Sequence, residues 1–141
     1  MTFSKRLRFA SLCGTFGLLL AATSSAATLP PGFAEAKVAE GLNPTTMTFA
    51  PDGRLFLCEK HGLLRVIDGD KMMEEPVLDL SAKIDAWNER GLLSVCFDPD
   101  FARNGWIYIY YTHNREEDKK SRTTSNNRVS RFTLKGNVAD P

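Results

Sequence analysis

The sequence predicts an all-β fold assembled from repeated antiparallel sheets, the arrangement of β-propeller blades. Three observations carry that expectation. The pattern Phe-x-Pro-Asp occurs twice, as Phe49-Ala50-Pro51-Asp52 and Phe97-Asp98-Pro99-Asp100. Each copy ends an apolar strand and is followed, past a glycine, by a second one. The offset between the copies is a constant 48 through the turn (49 to 97, 51 to 99, 52 to 100). It widens to 52 afterwards (55 to 107), because Phe101-Ala102-Arg103-Asn104 lengthens the second turn. A repeat of about 40–50 residues made of short strands is the spacing of propeller blades. Finally, no segment after residue 27 reads as a convincing helix. Fewer than two full blades fit into the chain, so it is expected to be the beginning of a larger propeller.

Residues 1–27 are expected to be a secretory signal peptide. Lys5, Arg6 and Arg8 make a positive start, Phe9 to Ala22 an apolar run, and Ser24-Ser25-Ala26-Ala27 a small-residue cleavage region. The apolar run falls short of the ~20 residues a membrane span needs. Cys13 follows Leu12 where a lipoprotein site wants a small residue. Export to the periplasm or the extracellular space follows.

The mature part, 28–141, is expected to make about two blades. Leu29-Pro30-Pro31-Gly32 is an extended lead-in, and the alternation over Phe33 to Ala39 predicts a first strand. Thr45 to Ala50, Arg54 to Glu59 and Leu63 to Ile67 predict three hairpin-linked strands. Their turns are Pro51-Asp52-Gly53 and His61-Gly62, residues that preset or permit turn dihedrals. Glu74 to Leu80 predicts a fourth, outer strand, since Pro76 is tolerated at an edge. Ser81 to Arg90 is a polar loop. Gly91 to Phe97, Trp106 to Thr112 and Arg128 to Leu134 supply three strands of an unfinished second blade, with a charged loop over Glu116 to Asn127 between the last two.

Composition excludes several function classes. The net charge is +1 and no Arg/Lys stripe with interleaved aromatics is present, so neither a nucleic-acid partner nor a membrane surface is expected. Two cysteines remain after the signal, Cys58 and Cys96. They either pair in an oxidising compartment or stay free as small buried hydrophobes in apolar strands; the second account is preferred. No phosphate-cradling Gly-rich loop, Ser-His-Asp set or zinc-ligand spacing occurs.

The run Gly91-Leu92-Leu93-Ser94-Val95-Cys96-Phe97-Asp98-Pro99-Asp100-Phe101, with Pro51-Asp52-Gly53-Arg54-Leu55-Phe56 before it and Trp106-Ile107-Tyr108-Ile109-Tyr110-Tyr111-Thr112 after it, resembles the glucose/sorbosone dehydrogenase family. Val38-Ala39-Glu40-Gly41-Leu42-Asn43-Pro44 and Arg128-Val129-Ser130-Arg131-Phe132 fit as well. The resemblance implies an exported six-bladed propeller. It also implies an oxidoreductase that uses pyrroloquinoline quinone (PQQ) and calcium, oxidises an aldose sugar at C1 and passes electrons to an external acceptor. The catalytic base it implies, a His, lies beyond Pro141, as do the groups that hold quinone and calcium, so this chain alone is expected to be inactive. Glu89 stands just before Arg90-Gly91-Leu92-Leu93, where sugar-oxidising members place a Gln. A carboxylate there accepts bonds from sugar hydroxyls and repels the carboxylates of the quinone. The rival expectation is a propeller that binds a glycan or protein partner without redox chemistry. A truncated product would instead expose blade faces and an unpaired sheet edge.

Glu89 and Arg90 are therefore the candidate cofactor- or substrate-binding residues, set against a local ion pair that caps the loop. His113 lacks a carboxylate fixed beside it and is read as a solvated loop histidine; His61 is a turn residue. Asp98 and Asp100 fail the calcium-loop pattern, because Ala102 and Ile109 occupy its fifth and twelfth positions, and are read as turn residues. Alternation puts Trp106, Tyr108 and Tyr110 on one face and Ile107, Ile109 and Tyr111 on the other, which suits core packing between neighbouring blades better than sugar stacking.

Overall fold

The computed structural model describes residues 28–114 and 125–140. The expected signal peptide and most of the expected charged loop lie outside the described residues. The chain divides into two compact units, Met1–Glu35 and Ala36–Pro141. In the first, the described lead-in makes a turn in which the Phe33 amide donates to the Pro30 carbonyl over 3.2 Å. All the strands below belong to the second.

The first sheet contains β1 (Pro44–Phe49), β2 (Leu55–Glu59), β3 (Leu63–Asp68), β4 (Lys71–Met72) and β5 (Leu78–Asp79). Its order is β1-β2-β3-β4, with β5 also on β3, and all pairs are antiparallel. The second contains β6 (Leu92–Phe97), β7 (Trp106–His113), β8 (Asn126–Lys135) and β9 (Val138–Asp140), antiparallel in that order. This is an all-β architecture of two propeller-type blades.

Turn chemistry sets the register. The Gly53 amide donates to the Ala50 carbonyl over 2.9 Å, and Gly53 takes φ 90°, which only glycine adopts cheaply. The Asp52 carboxylate accepts the Arg54 amide and its guanidinium, locking the turn. In the second repeat the four extra residues fold as one helical turn, α1 (Phe101–Asn104), ended by Gly105 in the left-handed region. The longer offset is thus a single inserted turn of helix.

Four expectations are corrected. Residues 33–39 alternate but form no strand; they are almost wholly exposed, and alternation without a ladder partner leaves a segment merely extended. Of the outer strand expected over 74–80 only the two-residue β5 forms, after Pro76, which has no amide to donate, while the other short strand on β3, β4, lies ahead of that span. The expected absence of helix fails at α1. The second blade has a fourth strand, β9, too short for periodicity to reveal.

The core lies between the sheets. Phe56, Cys58, Leu64 and Val66 of the first face Val95, Ile107, Ile109 and Leu134 of the second, and all eight are buried. Each such apolar side chain contributes roughly 1.5–3 kcal/mol when fully buried. Phe56 meets Phe97 edge-on at 5.1 Å, and Phe97 meets Phe101 likewise at 4.9 Å. Strands β1 and β6 lie side by side, held by the Thr45 hydroxyl, which is in contact with the carbonyls of Cys58 and Leu92.

Candidate functional site

The loop from Leu80 to Gly91 carries the chain from the first blade to the second, and its backbone is tightly specified. Ser81 donates its amide to the Asp79 carboxylate over 2.8 Å, and Lys83 donates to the Leu80 carbonyl. The loop then runs beside the end of β7. Ile84 bridges to His113, the Asp85 amide donates to the Thr112 carbonyl, and the Asn114 amide to the Lys83 carbonyl.

Asp85 organises the rest. One carboxylate oxygen accepts the Trp87 amide at 3.0 Å; the other accepts the Arg90 guanidinium and the Ser125 hydroxyl, each at 2.6 Å. Burial pushes its pKa up, but these donors, Ser125 foremost, outweigh it and hold the carboxyl below its ordinary value. Arg90 also lies over the Trp87 ring at 5.6 Å. Trp87 to Arg90 is a turn closed at 3.0 Å, with Asn88 at φ 51°, a region Asn tolerates. Gly91 then sits against the Lys60 carbonyl, where a Cβ would come to 2.6 Å.

The two sequence candidates therefore part company. Arg90 does form a local ion pair, with Asp85 five residues earlier rather than with Glu89. Glu89 is exposed at the turn and lines a cleft of about 320 Å³ with Thr45, Lys60, Asn88, Arg90 and Leu93. The cleft opens where β1 and β6 begin. A second cleft of about 350 Å³ lies nearby, lined by His61, Asp85, Trp87 and Asn114 among others.

The other candidates resolve individually. His113 is not a solvated loop residue but the last residue of β7, half-buried and edge-on to Tyr111 at 6.2 Å. His61 is exposed in its turn. Asp98 accepts the Asp100 amide, the Asn104 side-chain amide and the Tyr108 hydroxyl at 2.9, 2.9 and 2.7 Å, a turn lock as read from sequence. The Tyr108 hydroxyl, then Asn104, holds Asp98 below the usual carboxylate value, and the same bond raises Tyr108. Trp106 packs under the Arg131 guanidinium at 4.0 Å. Cys58 is free and buried, its thiol pushed up to about 12 by desolvation; Cys96 is free but exposed, not the buried hydrophobe expected. Sequence reasoning missed Asp85, Ser125, Thr45 and Lys60. The Asp85-x-Trp87 spacing was the one local signal, that of an Asx turn.

The sequence profile of glucose/sorbosone dehydrogenases matches residues 42–140. The chain belongs to that family. A crystal structure of a glucose dehydrogenase superposes with a TM-score of 0.62 at 25% identity, covering 74% of this chain and 29% of its own. The PQQ-bound aldose sugar dehydrogenase of Streptomyces coelicolor shares the fold, with a TM-score of 0.58 at 20% identity over 74% of this chain and 31% of its own. Mouse Hedgehog-interacting protein is 36% identical over 88 residues, 57% of this chain and 13% of that protein. The chain thus spans less than a third of each of these relatives, and the family segment it holds is the pair of blades with the loop between them.

Proposed function

We propose that this family member supplies two blades and a sugar-contacting loop to an exported, quinone-dependent dehydrogenase that oxidises an aldose at C1 and passes electrons to an external acceptor. The observation that carries the dehydrogenase reading is the family match over residues 42–140, and the sugar-contacting role rests on Glu89. It is exposed at the head of the Arg90-Gly91-Leu92-Leu93 run, in a cleft shared with Thr45 and Lys60. A carboxylate accepts hydrogen bonds from sugar hydroxyls, and an ammonium donates to a ring or hydroxyl oxygen. The Asp85–Arg90 clasp holds the turn that presents Glu89.

These residues fit a neutral polyol better than they fit PQQ. Glu89 repels the quinone's carboxylates, Arg90 is committed to Asp85, and no cluster of three metal-binding side chains occurs among the described residues. No redox step is therefore assigned to the described residues.

A second reading, a propeller that binds a glycan or protein without redox chemistry, draws on the 36% identity to Hedgehog-interacting protein, which exceeds the 25% to the glucose dehydrogenase. The two are separated by adding PQQ and calcium to the native protein and measuring aldose-dependent dye reduction beside aldose binding by calorimetry. Dye reduction supports the dehydrogenase; binding without it supports the binder. Glu89→Ala is expected to weaken aldose binding about 10-fold, the worth of one charged hydrogen bond. An aldose that neither binds nor reduces the dye overturns the sugar-contacting role of Glu89.

A further inference from the structure

We propose that a second carbohydrate subsite lies beside the Glu89 cleft, with Trp87 as its platform, so that two neighbouring pyranose residues of one glycan are held together. This subsite extends the sugar-contacting reading of Glu89, on which it rests, by giving the ligand a length of at least two residues. It occupies the cleft of about 350 Å³ lined by His61, Ser81, Asp85, Trp87 and Asn114 among others. The Glu89 cleft is of similar size, about 320 Å³. Both volumes sit at the lower end of the range for small-molecule sites, which suits one sugar ring in each. The two clefts also share a wall. Lys60 lines the Glu89 cleft and the next residue, His61, lines the other; Asn88 lines the first and Trp87 the second. Arg90 and Asp85 complete the wall, one on each side, joined at 2.6 Å. Successive Cα atoms are only about 3.8 Å apart, so the clefts are neighbours on the scale of one pyranose residue. Every residue of this wall sits on the turn after β2 or on the loop between the blades, so both clefts are built at the junction of the two blades.

Trp87 is the unusual member. Among the described residues, the other exposed large hydrophobics lie on the lead-in or on strands, whereas Trp87 stands on the interblade loop, 43% exposed. The turn it begins is closed by backbone groups. Its amide donates to the Asp85 carboxylate, and its carbonyl accepts the Arg90 amide. The Arg90 guanidinium, 5.6 Å from the ring centre, then steadies the indole beside the cleft. An indole face carries negative charge density, and the C–H groups of a pyranose ring, apolar and slightly positive, pack on it. Hydroxyls at the edge of that sugar ring need polar partners. The exposed His61 imidazole and the buried Asn114 side-chain amide supply them at the same cleft. Asp85 already accepts bonds from Trp87, Arg90 and Ser125, so it serves as wall rather than as a sugar acceptor. A rigidly held aromatic plane with a few polar groups around it is the chemistry of a neutral polyol site.

Calorimetry of the native protein with D-glucose, maltotriose and cellotriose tests the subsite, the readout being the ratio of trisaccharide to glucose affinity. At least one trisaccharide is expected to bind about 10-fold tighter than glucose, the worth of one stacked ring with its hydrogen bonds. Trp87→Ala is expected to bring that ratio near unity, and Trp87→Phe, which keeps a smaller ring, to hold part of it. His61→Ala, on a different turn, is expected to lower the ratio about 3-fold. Glu89→Ala is expected to weaken glucose and trisaccharide alike, because its cleft serves both. Circular dichroism of each variant should match the parent, since all three side chains are partly or fully exposed. A native ratio near unity for both trisaccharides, with glucose still bound, overturns the subsite and leaves the reading of Glu89 standing. So does a ratio that survives Trp87→Ala. Absence of any saccharide binding overturns the two together.

Discussion

The two blades share a register and a turn motif but have opposite fates at equivalent positions. Phe49 and Phe97 occupy the same place in the repeat, yet Phe49 is 71% exposed while Phe97 packs into the core. Ala50 and Phe56, an apolar pair in the first blade, become Asp98 and Tyr108 in the second, joined by a 2.7 Å hydrogen bond. The lesson is that a repeat specifies a shape and a face, whereas the neighbour decides the energy. An apolar side chain stabilises by leaving water, and only the side that has a blade against it does so.

Mutation of the paired positions gives the largest test. Phe97→Ala should cost about 3 kcal/mol in urea unfolding, with the Phe56 and Phe101 rings left facing a cavity. Phe49→Ala should cost less than about 1 kcal/mol, as expected of a surface substitution. Equal costs would break the comparison. Next come two glycines. Gly91→Ala must push against the Lys60 carbonyl and is expected to cost about 2–3 kcal/mol, whereas Gly53→Ala meets nothing within 4 Å and should cost about 1 kcal/mol, strain alone. Thermal melts of the two variants decide it.

The Asp98–Tyr108 pair, absent from the first blade, should leave a pH signature. Asp98 is depressed below 3.8, so its contribution is complete above that value and is lost as pH falls through the lower folded pKa. Tyr108 is raised above 10, so its contribution is complete below pH 10 and is lost as pH rises through the higher folded pKa. Tyr108→Phe should remove the alkaline loss and shrink the acid one, read from melting temperature against pH. An unchanged profile would show that the bond does not couple to folding. The smallest effect is chemical. Cys96 should alkylate in the folded protein and Cys58 only on unfolding, since Cys58 is buried with its thiol raised to about 12. Rapid labelling of both would place Cys58 outside the core.

Much of this architecture was legible beforehand because its signals are local. Phe-x-Pro-Asp, the glycine after it and the alternation of Trp106 to Tyr111 each act within a few residues, and the strands they imply are present. The corrections share a cause. Residues 33–39 carry the alternation of a strand but acquire no ladder, because pairing belongs to two segments and periodicity to one. The inserted Phe101–Asn104 reads in sequence as a longer turn and not as helix, since four residues give no period. At the candidate site, Glu89 and Arg90 were legible as a polar pair before β6. Their separation into a cleft-lining carboxylate and a structural clasp was not. The clasp depends on Asp85 and on Ser125, which lies 40 residues away from Asp85 in sequence.

The sequence alone determined the blade class, the repeat and its offset, the turns, and the family to which the motifs point, because each is written in dihedral preference and short-range alternation. Tertiary structure alone decided which of two equivalent faces is buried, which carboxylate Arg90 holds, and that Cys58 is sealed while Cys96 is exposed. Those outcomes depend on which surfaces are brought together across long stretches of chain. Desolvation and charge pairing act through space, and a linear pattern does not record distance.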